Sequence, residues 1–418
     1  MNNRHFVLKK NTQRTLLRCG YLSLIYLFAS GCLAGASTPA FDDQINQTLA
    51  SHYEKYKQDE YFSGIALSIY LPDKTKPSEI RNYFIGNVSH EPGSAKISRD
   101  TLFQIGSITK SFTAALVLQL EKPGKLSLKD TIKKWLPDYP KWSSVNLHSM
   151  LNMTSGLPNY SDTPLWNAAV YNNLSREWSD AELLAFVYPK NQFNPPLKDG
   201  YFYTNTGYIL ASLIAEKAAG MSIKQMYENQ LFKPAGLSHT FYPVPRVDPD
   251  QQRRLAHGYN YNQYDNPALV GKDVTANSMT WARAAGGLIS TSEDVIKWVK
   301  ALFVDNTILD ATQKSKLMEL VSTQTGKPIK QTTKDDPRGF GLGVIQGFDA
   351  DTVNGHYWFY EGQTLGFRAL YLYKACNGII ISTIFNSSTN SENDQGGKLL
   401  IQTYKQIMTA YPEYQCKD

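Results

Sequence analysis

Ser107 and Lys110 lie three positions apart in Phe103-Gln104-Ile105-Gly106-Ser107-Ile108-Thr109-Lys110, just before the apolar run from Phe112 to Leu120. That run predicts a helix, and residues i and i+3 share a helix face, so the Lys110 amine would reach back to the Ser107 hydroxyl. A serine attacks a carbonyl only when a base takes its proton as the bond forms, and an amine can be that base without histidine. Lys110 then needs desolvation or a neighbouring cation to lower its pKa. The start of the helix also offers unpaired backbone N–H groups with partial positive charge, suited to an oxyanion growing beside the nucleophile. The chemistry implied is acyl transfer. The tetrad alone does not establish it, because roughly one chance Ser-x-x-Lys match is expected in a chain of this length.

Two further stretches could complete such a site. In Gly200-Tyr201-Phe202-Tyr203-Thr204-Asn205-Thr206-Gly207-Tyr208, the helical pattern Ile209, Leu210, Leu213, Ile214, Ala218 begins directly afterwards. On an extended approach, Tyr203 and Asn205 point the same way. A phenol there can move protons, and an amide can hold both Lys110 and a substrate carbonyl. Taken by itself, Asn205 reads equally well as a cap for the next helix. The third stretch is Tyr360-Glu361-Gly362-Gln363, between the aromatic run Tyr357 to Tyr360 and the strand pattern Phe367 to Tyr373. Glycine in a strand marks a bulge or the close approach of another backbone or a ligand. The Gln363 N–H would then be a second oxyanion donor beside that of Ser107.

The order Ser-x-x-Lys, Tyr-x-Asn, aromatic-x-Gly resembles the serine β-lactamase superfamily, specifically class C β-lactamases, D,D-carboxypeptidases and their esterase relatives. Gly124 to Asp130, Leu151 to Leu157, Leu231 to Leu237 and Ala285 to Thr291 resemble the family's connecting segments, and the likeness runs over roughly residues 45 to 410. The resemblance implies Ser107 as the acylated nucleophile, Lys110 and Tyr203 sharing the proton work as one coupled unit, and Asn205, Tyr360, Gly362 and Gln363 contacting substrate. It implies no cofactor. Tyr360 stands where the family usually carries lysine, histidine or tryptophan. A neutral phenol with Glu361 beside it would not attract the carboxylate of a β-lactam or a peptide terminus, so a carboxylesterase becomes the alternative to a D,D-peptidase or β-lactamase. A non-catalytic envelope binding module is the reading from another class, and retention of Ser107, Lys110, Tyr203 and Asn205 together argues against it. His356 and Arg368 are the nearby cations, expected to be structural or solvent-facing. Met153 replaces a histidine common in relatives, with a packing consequence only.

Arg4, Lys9, Lys10, Arg14 and Arg18 precede the apolar stretch Tyr21 to Ala29, the pattern of a secretory leader too short for a secure membrane span. It reads as a signal peptide over residues 1–36, cut after Ala36 or lipidated at Cys32, which would anchor the protein to a membrane. Either route predicts a periplasmic enzyme or an envelope lipoprotein. Losing the five basic leader residues takes the formal charge from +6 to +1, which leaves no electrostatic footprint for nucleic acid. The expected partner is a small-molecule or peptidoglycan-derived substrate. Cys376 and Cys416 remain, as a disulfide or as two thiols. The histidines are scattered, without metal-ligand spacing.

Positioning these residues calls for an α/β architecture of the α+β type, with an antiparallel sheet flanked by helices and an inserted mainly helical lobe. Residues 41–58 read as a helix; Ser63 to Tyr70, Ile80 to Asn87, Gly339 to Gln346, Phe367 to Tyr373 and Gly378 to Phe385 read as strands; 394–410 reads as an amphipathic helix. Residues 37–100 with 276–418 would form the sheet part and 101–275 the helical part, with the site in the cleft between them. The tyrosine-rich loop Gly258 to Tyr264 could stack on substrate, or pack on itself.

Overall fold

The computed structural model describes residues 40–72, 78–188, 197–263, 267–350, 352–390 and 392–416. The leader, with Cys32 and Ala36, and Tyr264 lie outside these residues.

Among the described residues, nine strands form one antiparallel sheet. They are β1 (Gly64–Leu71), β2 (Glu79–Gly86), β3 (Leu320–Ser322), β4 (Pro328–Ile329), β5 (Arg338–Phe340), β6 (Ile345–Phe348), β7 (His356–Gln363), β8 (Arg368–Lys374) and β9 (Ile379–Phe385), in the order β2-β1-β9-β8-β7-β6-β5-β3-β4. β1 and β9 are buried on both faces, which is why they read as near-continuous runs of branched and apolar residues. Their register, Ile65 opposite Phe385 and Tyr70 opposite Ile380, joins an N-terminal strand to the last strand of the sheet.

Side chains alternate across these strands and divide the core in two. On one face Ile65, Leu67 and Ile69 meet Ile45 and Leu49 of α1 (Phe41–Tyr56) and Leu399 and Ile407 of the C-terminal helix (Gly396–Ala410). On the other, Ala66, Tyr70, Tyr371, Ile380 and Ile384 join the larger core built around α2 (Thr109–Glu121). Each fully buried isoleucine or leucine contributes roughly 2 kcal/mol. α2 is buried on nearly every side, a helix wrapped by protein rather than an amphipathic one. It packs against α3 (Thr206–Ala219) and, through a Phe112–Trp298 ring stack at 3.7 Å, against α4 (Ser292–Phe303). Numbered in this order, the Gly396–Ala410 helix is α5. Lys122-Pro123-Gly124 ends α2: the proline has no N–H to continue the helix, and Gly124 takes φ +75°.

Asn386, fully buried after β9, ties the end of that strand to the start of β1. Its Oδ1 accepts from the backbone N–H groups of Ser63 (3.0 Å) and Gly64 (2.9 Å), and its Nδ2 donates to Ser63 Oγ (2.7 Å) and the His257 carbonyl (2.9 Å). Cys376 and Cys416 form a disulfide, Cα atoms 5.6 Å apart, that ties the tail beyond α5 to the β8–β9 turn.

One expected strand, Gly339 to Gln346, is instead two, β5 and β6, separated by a tight turn. Gly343 in that turn takes φ +74°, and a Cβ there would lie 2.8 Å from the Lys110 backbone. The turn is thus pressed against the first coil of α2, which an uninterrupted strand could not do. The short strands β3 and β4 were not anticipated: three and two residues are too few to show an alternation.

Candidate active site

Ser107 lies in a short 3-10 turn, Gly106–Ile108, that runs directly into α2. Gly106 takes φ +50°, and a Cβ on it would stand 2.8 Å from the Gln363 nitrogen. Across from it, a Cβ on Gly362 would fall 2.0 Å from the Ile105 carbonyl oxygen and 2.8 Å from the Ser107 nitrogen. Both positions therefore require glycine, and together they let the end of β7 lie against the nucleophile turn. The Ser107 and Gln363 amides belong to these two facing segments.

Lys110 has no exposed surface. Its Nζ lies 2.7 Å from Asn205 Oδ1, 2.7 Å from the Ala285 carbonyl oxygen and 3.0 Å from Ser107 Oγ. Burial holds its pKa well below the usual lysine range, so the neutral amine is accessible. A neutral amine has two hydrogens, and two of its three neighbours are acceptors only. Asn205 is fixed in that orientation because its Nδ2 donates to Ser161 Oγ at 2.9 Å. With both hydrogens committed, the nitrogen lone pair faces the Ser107 hydroxyl.

Tyr203 donates to Ser107 Oγ at 2.7 Å from the open side of the cleft. Protein on most sides of its ring raises its pKa to about 12, against the opposing influence of Ser107 and the Tyr360 hydroxyl. Tyr203 is a neutral phenol at rest, and Lys110 is the stronger candidate for the resting base. The Tyr203 and Tyr208 ring faces lie 4.8 and 5.5 Å from the Lys110 nitrogen, placed to stabilise the ammonium when it forms. Asn205 is not a side-chain cap for α3, although it occupies the capping position.

These groups open into a cleft of about 820 Å³ lined by Ser107, Tyr203, Asn205 and Gln363, with Asn159, Ser161 and Trp166 on one wall and Glu361, Thr364, Thr389 and Asp394 on another. Of the seven sequence-nominated residues, Ser107, Tyr203, Asn205 and Gln363 line the cleft, while Lys110, Gly362 and Tyr360 lie behind its surface. Tyr360 is the least direct: it is buried behind Tyr203, and its hydroxyl makes no hydrogen bond of normal geometry. Its own pKa is pushed well up by burial. Arg368, fully buried, spends its charge on Glu60 and Asp394, 2.7 Å from each. His356 sits at the far end of β7 near Thr332. Neither cation lines the cleft. Met153 is buried, and its sulfur accepts from the Thr204 N–H at 3.3 Å. Tyr261 stacks on Tyr61 at 5.2 Å, and Tyr259 is buried against His90, so both tyrosines are engaged in packing.

Sequence reasoning missed the Ala285 carbonyl, Ser161, and the pairing of Glu361 with Asp394. A main-chain acceptor leaves no side-chain signal; only the Ala285-Gly286-Gly287 segment hinted at a close approach. Glu361 is reached by water yet has protein on most sides. That desolvation, and then the adjacent Asp394 carboxylate, raise its pKa, while Asp394, held by Arg368, stays below the usual carboxylate range.

The family model described as Beta-lactamase matches residues 51–404. The chain belongs to the β-lactamase family. Within that family of serine hydrolases it is similar to a penicillin-binding protein of Bacillus subtilis (strain 168), 28% identical over 225 residues, 52% of this chain and 49% of the relative. A β-lactamase of Escherichia coli (strain K12) is 25% identical over 66% of this chain and 64% of its own length. A teichoic acid D-alanine hydrolase of Staphylococcus aureus is 26% identical over 59% and 55%. The chain thus spans between about half and just under two thirds of these curated relatives. Among solved structures, a D-amino acid amidase from Ochrobactrum anthropi SV3 shares the β-lactamase-family fold at TM-score 0.70, 23% identity, covering 89% of this chain and 99% of that one.

Proposed function

We propose that this protein is an extracytoplasmic serine hydrolase that forms an acyl-enzyme on Ser107 and hydrolyses an amide or ester of the D-amino-acid or D,D-peptide kind. The observation that carries the reading is the placement of Ser107 Oγ between the buried Lys110 amine at 3.0 Å and the Tyr203 hydroxyl at 2.7 Å. As Oγ bonds to the substrate carbonyl carbon, its proton passes to Lys110, and the new oxyanion takes hydrogen bonds from the Ser107 and Gln363 amides. Tyr203 protonates the departing nitrogen or oxygen and recovers a proton from Lys110. Water then attacks the ester, giving its proton to the same pair, and Ser107 leaves with one. Relatives named as penicillin-binding protein, β-lactamase and D-alanine hydrolase support the substrate kind.

A carboxylesterase of the same fold is favoured by one specific observation: among the described residues, none that lines the cleft is a lysine, arginine or histidine that would draw a substrate carboxylate. Incubation with a fluorescent penicillin, followed by mass measurement, separates these readings. An adduct on Ser107 that vanishes in Ser107→Ala supports the peptidase kind. Turnover of a nitrophenyl ester without penicillin adduct supports the esterase; neither result would point to a binding module. Full activity in Ser107→Ala overturns the mechanism. The export expectation is checked by fractionating cells and reading the mature N-terminus.

A further inference from the structure

The Ala285 carbonyl that receives a Lys110 hydrogen belongs to a short helical turn, Arg283–Gly286, gripped from two sides. From within, α2 holds it by three side chains one coil or less apart. Thr113 Oγ1 donates to the Ala284 carbonyl at 2.7 Å, Lys110 Nζ to the Ala285 carbonyl at 2.7 Å, and Thr109 Oγ1 accepts from the Leu288 N–H at 3.2 Å. Gly286 lies over the nucleophile turn, where a Cβ on it would stand 3.5 Å from the Gly106 carbonyl carbon. A shift of this turn would therefore be felt by the base and the nucleophile together.

From outside, the grip is the side chain of Arg283. This residue opens the turn at φ +39°, a left-handed conformation that a non-glycine residue keeps only where its surroundings impose it. One guanidinium nitrogen lies 2.7 Å from Asp180 Oδ2 and another donates to the Trp178 carbonyl at 3.0 Å. The Trp178 N–H in turn donates to Thr280 Oγ1 at 2.8 Å, so the segments 178–180 and 280–283 form one closed frame. The charges of the Arg283–Asp180 pair act on Glu216 and on the buried Tyr160 and Tyr242 phenols, whereas the lowered pKa of Lys110 has burial as its cause. The groups that face Lys110 are Ser107, Asn205 and the Tyr203 and Tyr208 rings. Arg283 reaches the base through the backbone, not through its field.

We propose that Arg283, anchored by Asp180, is a positioning residue for the general base: it fixes the Arg283–Gly286 turn so that the Ala285 carbonyl takes one Lys110 hydrogen and the lone pair faces Ser107. Without the anchor the left-handed residue relaxes, the carbonyl withdraws, and the ammonium form of Lys110 loses an acceptor. The inference rests on the hydrolase reading for what Lys110 does, but the geometry it assigns can be measured without turnover.

NMR titration of protein isotope-labelled at the lysine ε-carbon reads Lys110 directly, its signal being the one lost in Lys110→Met. A hydrogen bond to the charged form favours that form, so Arg283→Ala should lower the Lys110 midpoint by about one pH unit, the equivalent of one charge-assisted bond. Arg283→Gly accepts φ +39° without strain and should restore most of the shift. Arg283→Ala leaves Asp180 unpaired; should it fold poorly, Arg283→Ala combined with Asp180→Ala removes both charges and should show the same fall. In stopped-flow acylation by a nitrophenyl ester, the plateau rate of Arg283→Ala should drop at least roughly tenfold while its pH midpoint moves down, and Arg283→Gly should recover both. A Lys110 midpoint that stays in place in the single and double variants overturns the assignment, as does an equal loss of rate in Arg283→Gly and Arg283→Ala. Absence of ester turnover by the unmodified enzyme would count against the hydrolase reading alone, since the titration still decides the positioning role.

Discussion

Tyr203 donates its hydroxyl hydrogen to Ser107 Oγ across 2.7 Å, although 96 positions separate the two residues. The phenol therefore touches the nucleophile from the open side of the cleft, while Lys110 touches it from within. Tyr203→Phe should slow amide hydrolysis at least roughly 100-fold, as for loss of a positioned acid, and slow hydrolysis of a nitrophenyl ester far less, since nitrophenolate leaves unaided. Steady-state kcat/KM on matched amide and ester substrates measures the difference. Equal losses on both would assign Tyr203 to attack rather than departure.

Lys110 should give the enzyme its pH dependence. Only the neutral amine can take the Ser107 proton, so the acylation rate should rise with pH and level off at the folded pKa of Lys110, well below the usual lysine value of 10.5. Between those two values the unfolded chain binds the extra proton, so the same group makes folding stability rise with pH. Stopped-flow acylation across pH 5 to about 10 checks the first statement; a rate still climbing near the top of that range would contradict it.

Gly362→Ala should disable the site with little harm to the sheet. The added methyl would stand 2.0 Å from the Ile105 carbonyl oxygen, so β7 must withdraw from the nucleophile turn. Loss of one oxyanion donor costs roughly 100- to 1000-fold in kcat. Circular dichroism should be unchanged while kcat falls and substrate binding changes little. An unchanged kcat would mean that Gln363 makes no contact in the transition state.

Glu293 should govern acid stability. Burial works against its charge, but Arg99, 2.8 Å away, and Lys297 outweigh it and bring its pKa down to about 2. A carboxyl whose folded pKa lies below its unfolded value stabilises the protein above pH 4.5 and loses that contribution as pH falls towards 2. The gap corresponds to roughly 3 kcal/mol, screened to about 2 kcal/mol by the solvent around the exposed Arg99. Urea unfolding of Glu293→Gln should show that deficit at pH 7 and a smaller one at pH 4.

The residues that act locally were readable from their letters. Ser107 and Lys110 share one coil of helix, Tyr203 and Asn205 one extended approach, and Gly362 announces a backbone that comes close. β1, β8 and β9 were legible because burial on both faces demands apolar runs. What stayed hidden depends on distant partners. Glu361 looked like a stray negative charge because Asp394 arrives from a loop beyond the last strand, and Arg368 gave no hint that Glu60 and Asp394 would absorb it. The Gly339 to Gln346 stretch looked like one strand because its apolar content was right; the turn at Gly343 answers to the Lys110 backbone, which no local pattern encodes.

Asn386 carries a consequence for how the molecule is born. It clamps Ser63 across 323 positions, and β1, which pairs β2 locally, finds its second neighbour only in β9, so the β1–β9 ladder cannot close until nearly the whole polypeptide has left the ribosome. A nascent chain arrested before Ile379 should stay open to proteases, and release of the last forty or so residues should confer resistance in one step. Such a late-zipping molecule stays unlocked for as long as its final segment is withheld.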